Sequence, residues 1–187
     1  MKSHISSSDR RKASLDGMLK EYEALRQEIM TSMQTRGTIL TFLFTVVGAI
    51  FATVATTNNL HNIYTSLVLA FGVPAISIFA LLIWIGEYER MQRAGKFLAS
   101  LEVRYNNLTS SGALTWENHL REGRMHMTYP YNSTILGVMS LSNIGVVLGV
   151  SLLSIDVGVK MLFISLSVML HMPIYFWASD RMKSLRN

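Results

Sequence analysis

Charge disappears from this chain for fifty consecutive positions between Arg36 and Glu87, and between Arg124 and Asp180 only Asp156 and Lys160 carry it. A helix needs about 20 mostly apolar residues to cross a bilayer, so these two gaps hold four crossings. The pattern places them at roughly 37–56, 66–86, 133–153 and 159–178. Short turn-forming runs, 57–62 and 154–158, separate the members of each pair. The expected fold is therefore all-α, an integral membrane four-helix protein with a small helical cytosolic cap. Pro74 falls inside the second crossing and predicts a kink there, and Trp84 near its end suits the headgroup level.

The charged segments have their own periodicity. Residues 1–15 are polar and basic and read as a flexible tail. From 16 to 36, Met18, Tyr22, Leu25, Ile29 and Met33 recur at three- and four-residue steps, the signature of an amphipathic helix. Gly37 is the only break before the first membrane hairpin, 37–86. In the cytosolic segment 87–132, Met91, Ala94, Phe97 or Leu98, Leu101 and Tyr105 form an apolar stripe, with Arg90, Arg93, Lys96, Glu102 and Arg104 on the polar side. The two apolar stripes are expected to pack on each other. A second membrane hairpin, 133–179, and a tail, 180–187, complete the chain.

Composition sharpens this picture. Of 187 residues, 50% are hydrophobic and 16% charged, against about 25% charged in soluble domains. A soluble enzyme of this size is excluded on that ground. The absence of cysteine removes disulfides, thiol catalysis and cysteine metal sites. The net charge of +5 reports orientation before it reports nucleic acid, and no duplex reader is expected. Seven Lys and Arg precede the first crossing, six lie in 87–132 and three in the C-terminal tail, while 57–65 holds none and 154–160 only Lys160. Both termini and the middle segment are thus expected in the cytoplasm.

The uncharged helices are not uniformly apolar. At about 100° per residue, with Ser140 at zero, Asn143, Val147, Ser151 and Ser154 all fall within about 60° of it, whereas Gly145 and Gly149 lie near the opposite side. In the fourth crossing Lys160, Ser167, His171 and Tyr175 share a stripe, and in the first Thr38, Thr41, Thr45, Gly48 and Ala52 do. Two readings stand. A stripe lines an aqueous path when several copies assemble, because polar groups in lipid face a bundle interior or water. Alternatively the same groups hold helices together. The leading pore-lining candidates are Ser140, Asn143, Val147, Ser151 and Ser154, with Ser167, His171, Tyr175, Thr41 and Thr45 as the alternative pore or gate. His171, the one ionisable group well inside a crossing, reads either as a pH-sensitive gate or as a neutral imidazole bonded to Asn143 or Ser140. Asp156 and Lys160 are spaced to pair at the outer hairpin.

No nucleophile–base pair, HExxH or phosphate-binding Gly loop is present, and no catalytic residue is expected. His119 and His126 beside Glu117 and Glu122 are too loosely spaced for a metal, and neither metal nor cofactor is expected.

The cytosolic parts carry short motifs: Glu21-Tyr22-x-x-Leu25-Arg26-x-Glu28-Ile29, Trp84-x-x-Glu87-x-x-Arg90, Gly95-x-x-Leu98-x-x-Leu101-Glu102 and Trp116-Glu117-x-x-x-Arg121. Over residues 21–121 this resembles a group of small multi-span bacterial membrane proteins, some similar to transmembrane effectors of anti-phage defence operons of the Hailong type. The resemblance implies a homo-oligomeric pore in the cell inner membrane, held closed by a cytosolic nucleotide or oligonucleotide ligand or a partner protein. Arg90, Arg93, Lys96, Arg104, Arg121 and Arg124 are the cytosolic gating candidates. A non-conducting anchor or regulatory subunit is the alternative. A small transporter ranks third, since only Pro74 and Pro173 hint at broken helices.

Overall fold

A computed structural model describes residues 7–56, 63–122 and 128–186. Among them every regular element is helical. The order is α1 (Ser7–Thr56), α2 (Ile63–Leu67), a π-helical turn (Val68–Gly72), α3 (Val73–Thr109), α4 (Trp116–Glu122), α5 (Thr128–Leu152) and α6 (Val157–Arg186). Four helical stretches are long and apolar enough to cross a membrane: α1, the run Ile63–Thr109, α5 and α6. The predicted turn 57–62, together with Arg124 and His126, lies outside the described residues.

Two boundaries differ from the periodicity. Helix α1 begins at Ser7, within the segment read as a tail, and runs without interruption through Gly37. Asp9 in its first turn complements the helix dipole, and Arg11 donates to the Leu108 carbonyl of α3. At the other end α6 continues through Pro173 to Arg186. The kink expected at Pro74 is instead a π-turn immediately before it, where Val73 N–H reaches back to the Val68 carbonyl. Proline has no N–H and its ring crowds the carbonyl four residues earlier; widening the preceding turn accommodates both effects.

The described chain divides into two compact units. The first comprises Met1–Gln34 and Tyr88–His126. Its core is Met18, Tyr22, Leu98 and Leu101, flanked by Leu25, Ile29, Tyr105 and Leu114. These are largely the two apolar stripes of the sequence. Helix α3 ends in a Schellman arrangement: Ser110 adopts φ 52°, and Ser111 N–H bonds the Asn106 carbonyl at 3.2 Å. The Asn106 side chain closes the following loop by donating to the Leu114 carbonyl (2.6 Å) and accepting its N–H (3.1 Å).

The second unit comprises Thr35–Glu87 and Met127–Asn187. Here α5 packs on α2, the π-turn and α6, around Ala70, Val146 and Val150 with Ile164 against them. The glycines of α5 set the spacing. A Cβ on Gly145 would stand 2.7 Å from Val73 Cγ1 and 3.0 Å from the Leu69 carbonyl oxygen. One on Gly149 would stand 2.6 Å from the Ser66 carbonyl oxygen and collide with the Ala70 backbone nitrogen. Backbone approach this close is the use that membrane helices make of small residues.

Candidate functional site: the polar seam of α5 and α6 and its exposed flank

Helix α6 approaches α5 between the two faces distinguished in the sequence. His171 is buried, with 7% of its surface exposed. Its Nε2 lies 2.7 Å from the Ser142 hydroxyl, which is also buried, and its Nδ1 lies 2.7 Å from the Ser167 carbonyl oxygen. The Ser167 hydroxyl donates to Asn143 Oδ1 at 3.2 Å, and Asn143 Nδ2 donates to the Met139 carbonyl at 3.1 Å. Three sequence candidates, Asn143, Ser167 and His171, therefore meet in one hydrogen-bond chain between the helices. Tyr175, one turn beyond His171, is half-buried and edges against Phe176 at 5.6 Å.

The imidazole partner differs from expectation. His171 bonds Ser142, not Asn143 or Ser140. Ser142 sits about 200° from Ser140, near the glycine face, and so fell outside the polar stripe. The usable signal was its phase, shared with Gly145 and Gly149, which marks a packed position.

The rest of the α5 stripe lies on the uncovered side. Ser140, Val147, Ser151 and Ser154 are exposed, Ser154 in the link after α5. Along with Gly137 and Ile144, Ser140, Val147 and Ser151 make an exposed lane of mainly small side chains on α5. Ser151 Oγ donates to the Val147 carbonyl of its own helix at 2.6 Å. Thr41 and Thr45 are exposed on α1 and donate to the carbonyls of Gly37 and Thr41 at 3.1 and 2.8 Å. Such bonds satisfy a hydroxyl without a partner helix.

Asp156 and Lys160 do not form the expected ion pair. Asp156 Oδ1 accepts Gly158 N–H at 2.7 Å, capping α6, and Lys160 Nζ donates to the Ser151 carbonyl at 2.9 Å. Each charge serves a helix end, where backbone groups lack intrahelical partners.

At one end of this unit Arg36 of α1 stacks on Trp84 of α3 (4.3 Å to the ring centroid) and reaches Tyr131 of α5 (5.2 Å); the two rings are 6.1 Å apart. Trp84 is consequently buried at 2% exposure. A cation over two aromatic faces ties three helices at one point. The sequence marked Trp84 but not its partners, since nothing in the spacing links positions 36, 84 and 131.

In the first unit the motif residues meet one another. Glu102 is fully buried, and its carboxylate accepts Glu117 N–H (2.8 Å), Asn118 N–H (3.0 Å), Asn118 Nδ2 (2.9 Å) and the Tyr22 hydroxyl (3.2 Å). It thereby caps α4 from a neighbouring helix. Burial, followed by the Glu102 charge and the hydrogen bond to it, pushes the Tyr22 hydroxyl above its ordinary pKa. Arg26 lies over the Trp116 ring at 5.6 Å, and Arg90 Nε pairs with Glu28 at 2.8 Å. Of the gating candidates, Arg90 is thus engaged. Arg93, Lys96 and Arg104 are exposed along one side of α3, and Arg121 belongs to α4. Glu102 had been placed on the polar face, yet its phase is that of Leu98 and Tyr105. A carboxylate at a core position was the signal for its role.

Compared with family models, curated proteins and solved structures, the chain matches none.

Proposed function

We propose that this chain is a multi-pass membrane protein whose copies assemble into a cytosolically gated ion pathway or membrane-permeabilising pore. The observation that carries the reading is the uncovered lane of α5. Four apolar helices leave Ser140, Val147 and Ser151 on a face that their own chain does not use, with Asn143 at its edge. In a bilayer such a face is directed at a second copy or at water. The Lys and Arg distribution supports an orientation with both termini and residues 87–132 on the cytoplasmic side. Arg93, Lys96 and Arg104 there offer an anionic ligand, a nucleotide or oligonucleotide, three cations on one helix side. The resemblance at residues 21–121 supplies the setting, a pore released in anti-phage defence.

Ion flux into liposomes bearing the purified chain, with and without such ligands, tests this. Flux that a ligand suppresses is expected, and no flux under any of these conditions contradicts the proposal. Asn143→Leu is expected to change conductance. A change in thermal stability alone would make Asn143 a helix contact.

One observation favours the second reading, a non-conducting anchor or regulatory subunit. The most polar groups of the crossings, His171, Ser142, Asn143 and Ser167, satisfy each other within the chain. An anchor predicts monomers that pass no ions.

A further inference from the structure

We infer that His171 is a proton-binding site that controls how firmly α6 is held to α5. The inference concerns helix packing and stands whether or not ions flow.

The hydrogen bonds fix where the proton of the neutral ring resides. Nδ1 faces the Ser167 backbone carbonyl at 2.7 Å, and a carbonyl oxygen only accepts. Nδ1 therefore carries the hydrogen and Nε2 is the lone-pair nitrogen, accepting from the Ser142 hydroxyl at 2.7 Å. The remaining contacts run in the same sense. The Ser167 hydroxyl spends its hydrogen on Asn143 Oδ1, so its oxygen, 3.4 Å from Nδ1, is free to accept as well. The chain is complete for a neutral ring with one tautomer.

A second proton breaks it. It must enter at Nε2, which then donates to Ser142 Oγ. The serine hydrogen has to turn away and find another acceptor, the nearest on its own helix being the carbonyl one turn earlier. The ring becomes a cation among neutral oxygens. Helix α5 contains no Asp, Glu, Lys, Arg or His; its titratable residues are Tyr129 and Tyr131, near its start. The π-turn against α6 has no titratable group; on α6 itself Tyr175 is one turn away, Lys160 is near the start, and Asp180, Arg181, Lys183 and Arg186 are near the end. A buried cation without a counter-charge is costly. Most of the apolar side chains of α6 are exposed, Met169 at 70% and Leu162 at 66%. Its polar attachment to α5 comprises His171 and Ser167 in one half and the Lys160 bond to the Ser151 carbonyl near its start. Proton uptake therefore loosens α6 in the half that holds His171.

The test uses the full chain in lipid nanodiscs. Nitrogen-15 NMR of labelled histidine at pH 8 is expected to show His171 with a protonated Nδ1 and an unprotonated Nε2. Spin labels on Ile144→Cys and Leu166→Cys, at exposed positions of a chain without native cysteine, report the α5–α6 distance. A single short-distance peak at pH 8 that is lost at pH 5 is expected, and His171→Gln is expected to keep it at both. A ring protonated on Nε2 at pH 8, or a distance unaffected by pH in the unsubstituted chain, overturns the proposal. The NMR readout needs no substitution at His171 and decides the matter if His171→Gln does not fold.

Discussion

The two compact units hold helices together by different means. In the first, Met18, Tyr22, Leu98 and Leu101 form a core, a buried carboxylate caps α4, and Arg90–Glu28 and Arg26–Trp116 lie at the rim. Large apolar side chains point inward, as burial from water requires. In the second, Leu69, Val73, Ile135, Val146 and Val150 are buried as well, but close glycine contacts and a serine–imidazole bond join the helices, and Phe42, Phe79, Leu162 and Met169 point outward. Burial of apolar area from water does not by itself drive that arrangement. Close backbone packing and hydrogen bonds between helices can drive it in lipid. One chain thus contains a water-type and a lipid-type solution, and substitutions should separate them.

The largest effect is expected from Glu102→Leu. It leaves Glu117 N–H, Asn118 N–H, Asn118 Nδ2 and the Tyr22 hydroxyl without their acceptor, and a buried unmatched donor costs about 1–3 kcal/mol. A combined loss of about 3–5 kcal/mol should undock α4, which hydrogen exchange would register as fast exchange confined to the first unit.

Next is Gly149→Ala. Its Cβ meets backbone atoms of Ser66 and Ala70 that cannot yield by a rotamer change, so about 1–3 kcal/mol of overpacking strain is expected. Gly145→Ala should cost somewhat less, because its contacts, to Val73 Cγ1 at 2.7 Å, Val73 Cβ at 2.8 Å and the Leu69 carbonyl oxygen at 3.0 Å, are each longer than their counterparts at Gly149. Gly48→Ala, with nothing within 4 Å, should be neutral or stabilising by about 0.5–1 kcal/mol, since alanine is the better helix former. Thermal unfolding in detergent orders the three. Equal effects at Gly48 and Gly149 would remove the close-packed seam from the account.

Tyr22→Phe is a smaller change, about 0.5–1.5 kcal/mol for one hydrogen bond, with a pH signature. The folded state raises the Tyr22 pKa above its unfolded value near 10. The associated stability is whole below that pH and is lost as pH rises through the folded value. Unfolding of the first unit should therefore become easier above pH 10, and Tyr22→Phe should reduce that dependence. Smallest is Glu28→Gln, which removes a pair with half-exposed partners, expected at about 0.2–1 kcal/mol and weakened by salt.

The units also differed in how far the sequence revealed them. The apolar stripes of 16–36 and 87–106 were legible because a water-type bundle writes its contacts as large side chains at helical spacing. The polar stripe of α5 was legible as a stripe, but its meaning divided on folding. Asn143 turned toward α6, while Ser140, Val147 and Ser151 remained uncovered. Ser142 escaped notice because a small residue packed on a helix looks like a small residue anywhere. Glu102 was misplaced because its charge outweighed its phase. The Arg36–Trp84–Tyr131 contact joins three distant positions, and one sequence contains no trace of such a pairing.

A pore or an oligomer requires the exposed lane of α5 to face another copy or water and not lipid. The chain has no cysteine, so single cysteines can be placed cleanly. In membranes, Ser140→Cys, Val147→Cys and Ser151→Cys are expected to react with a membrane-impermeant thiol reagent or to form disulfides between copies. Phe79→Cys and Leu162→Cys, which are more exposed than Val147 in the isolated chain, are expected to do neither. Lane positions as unreactive as these two, and uncrosslinked, would contradict the proposal.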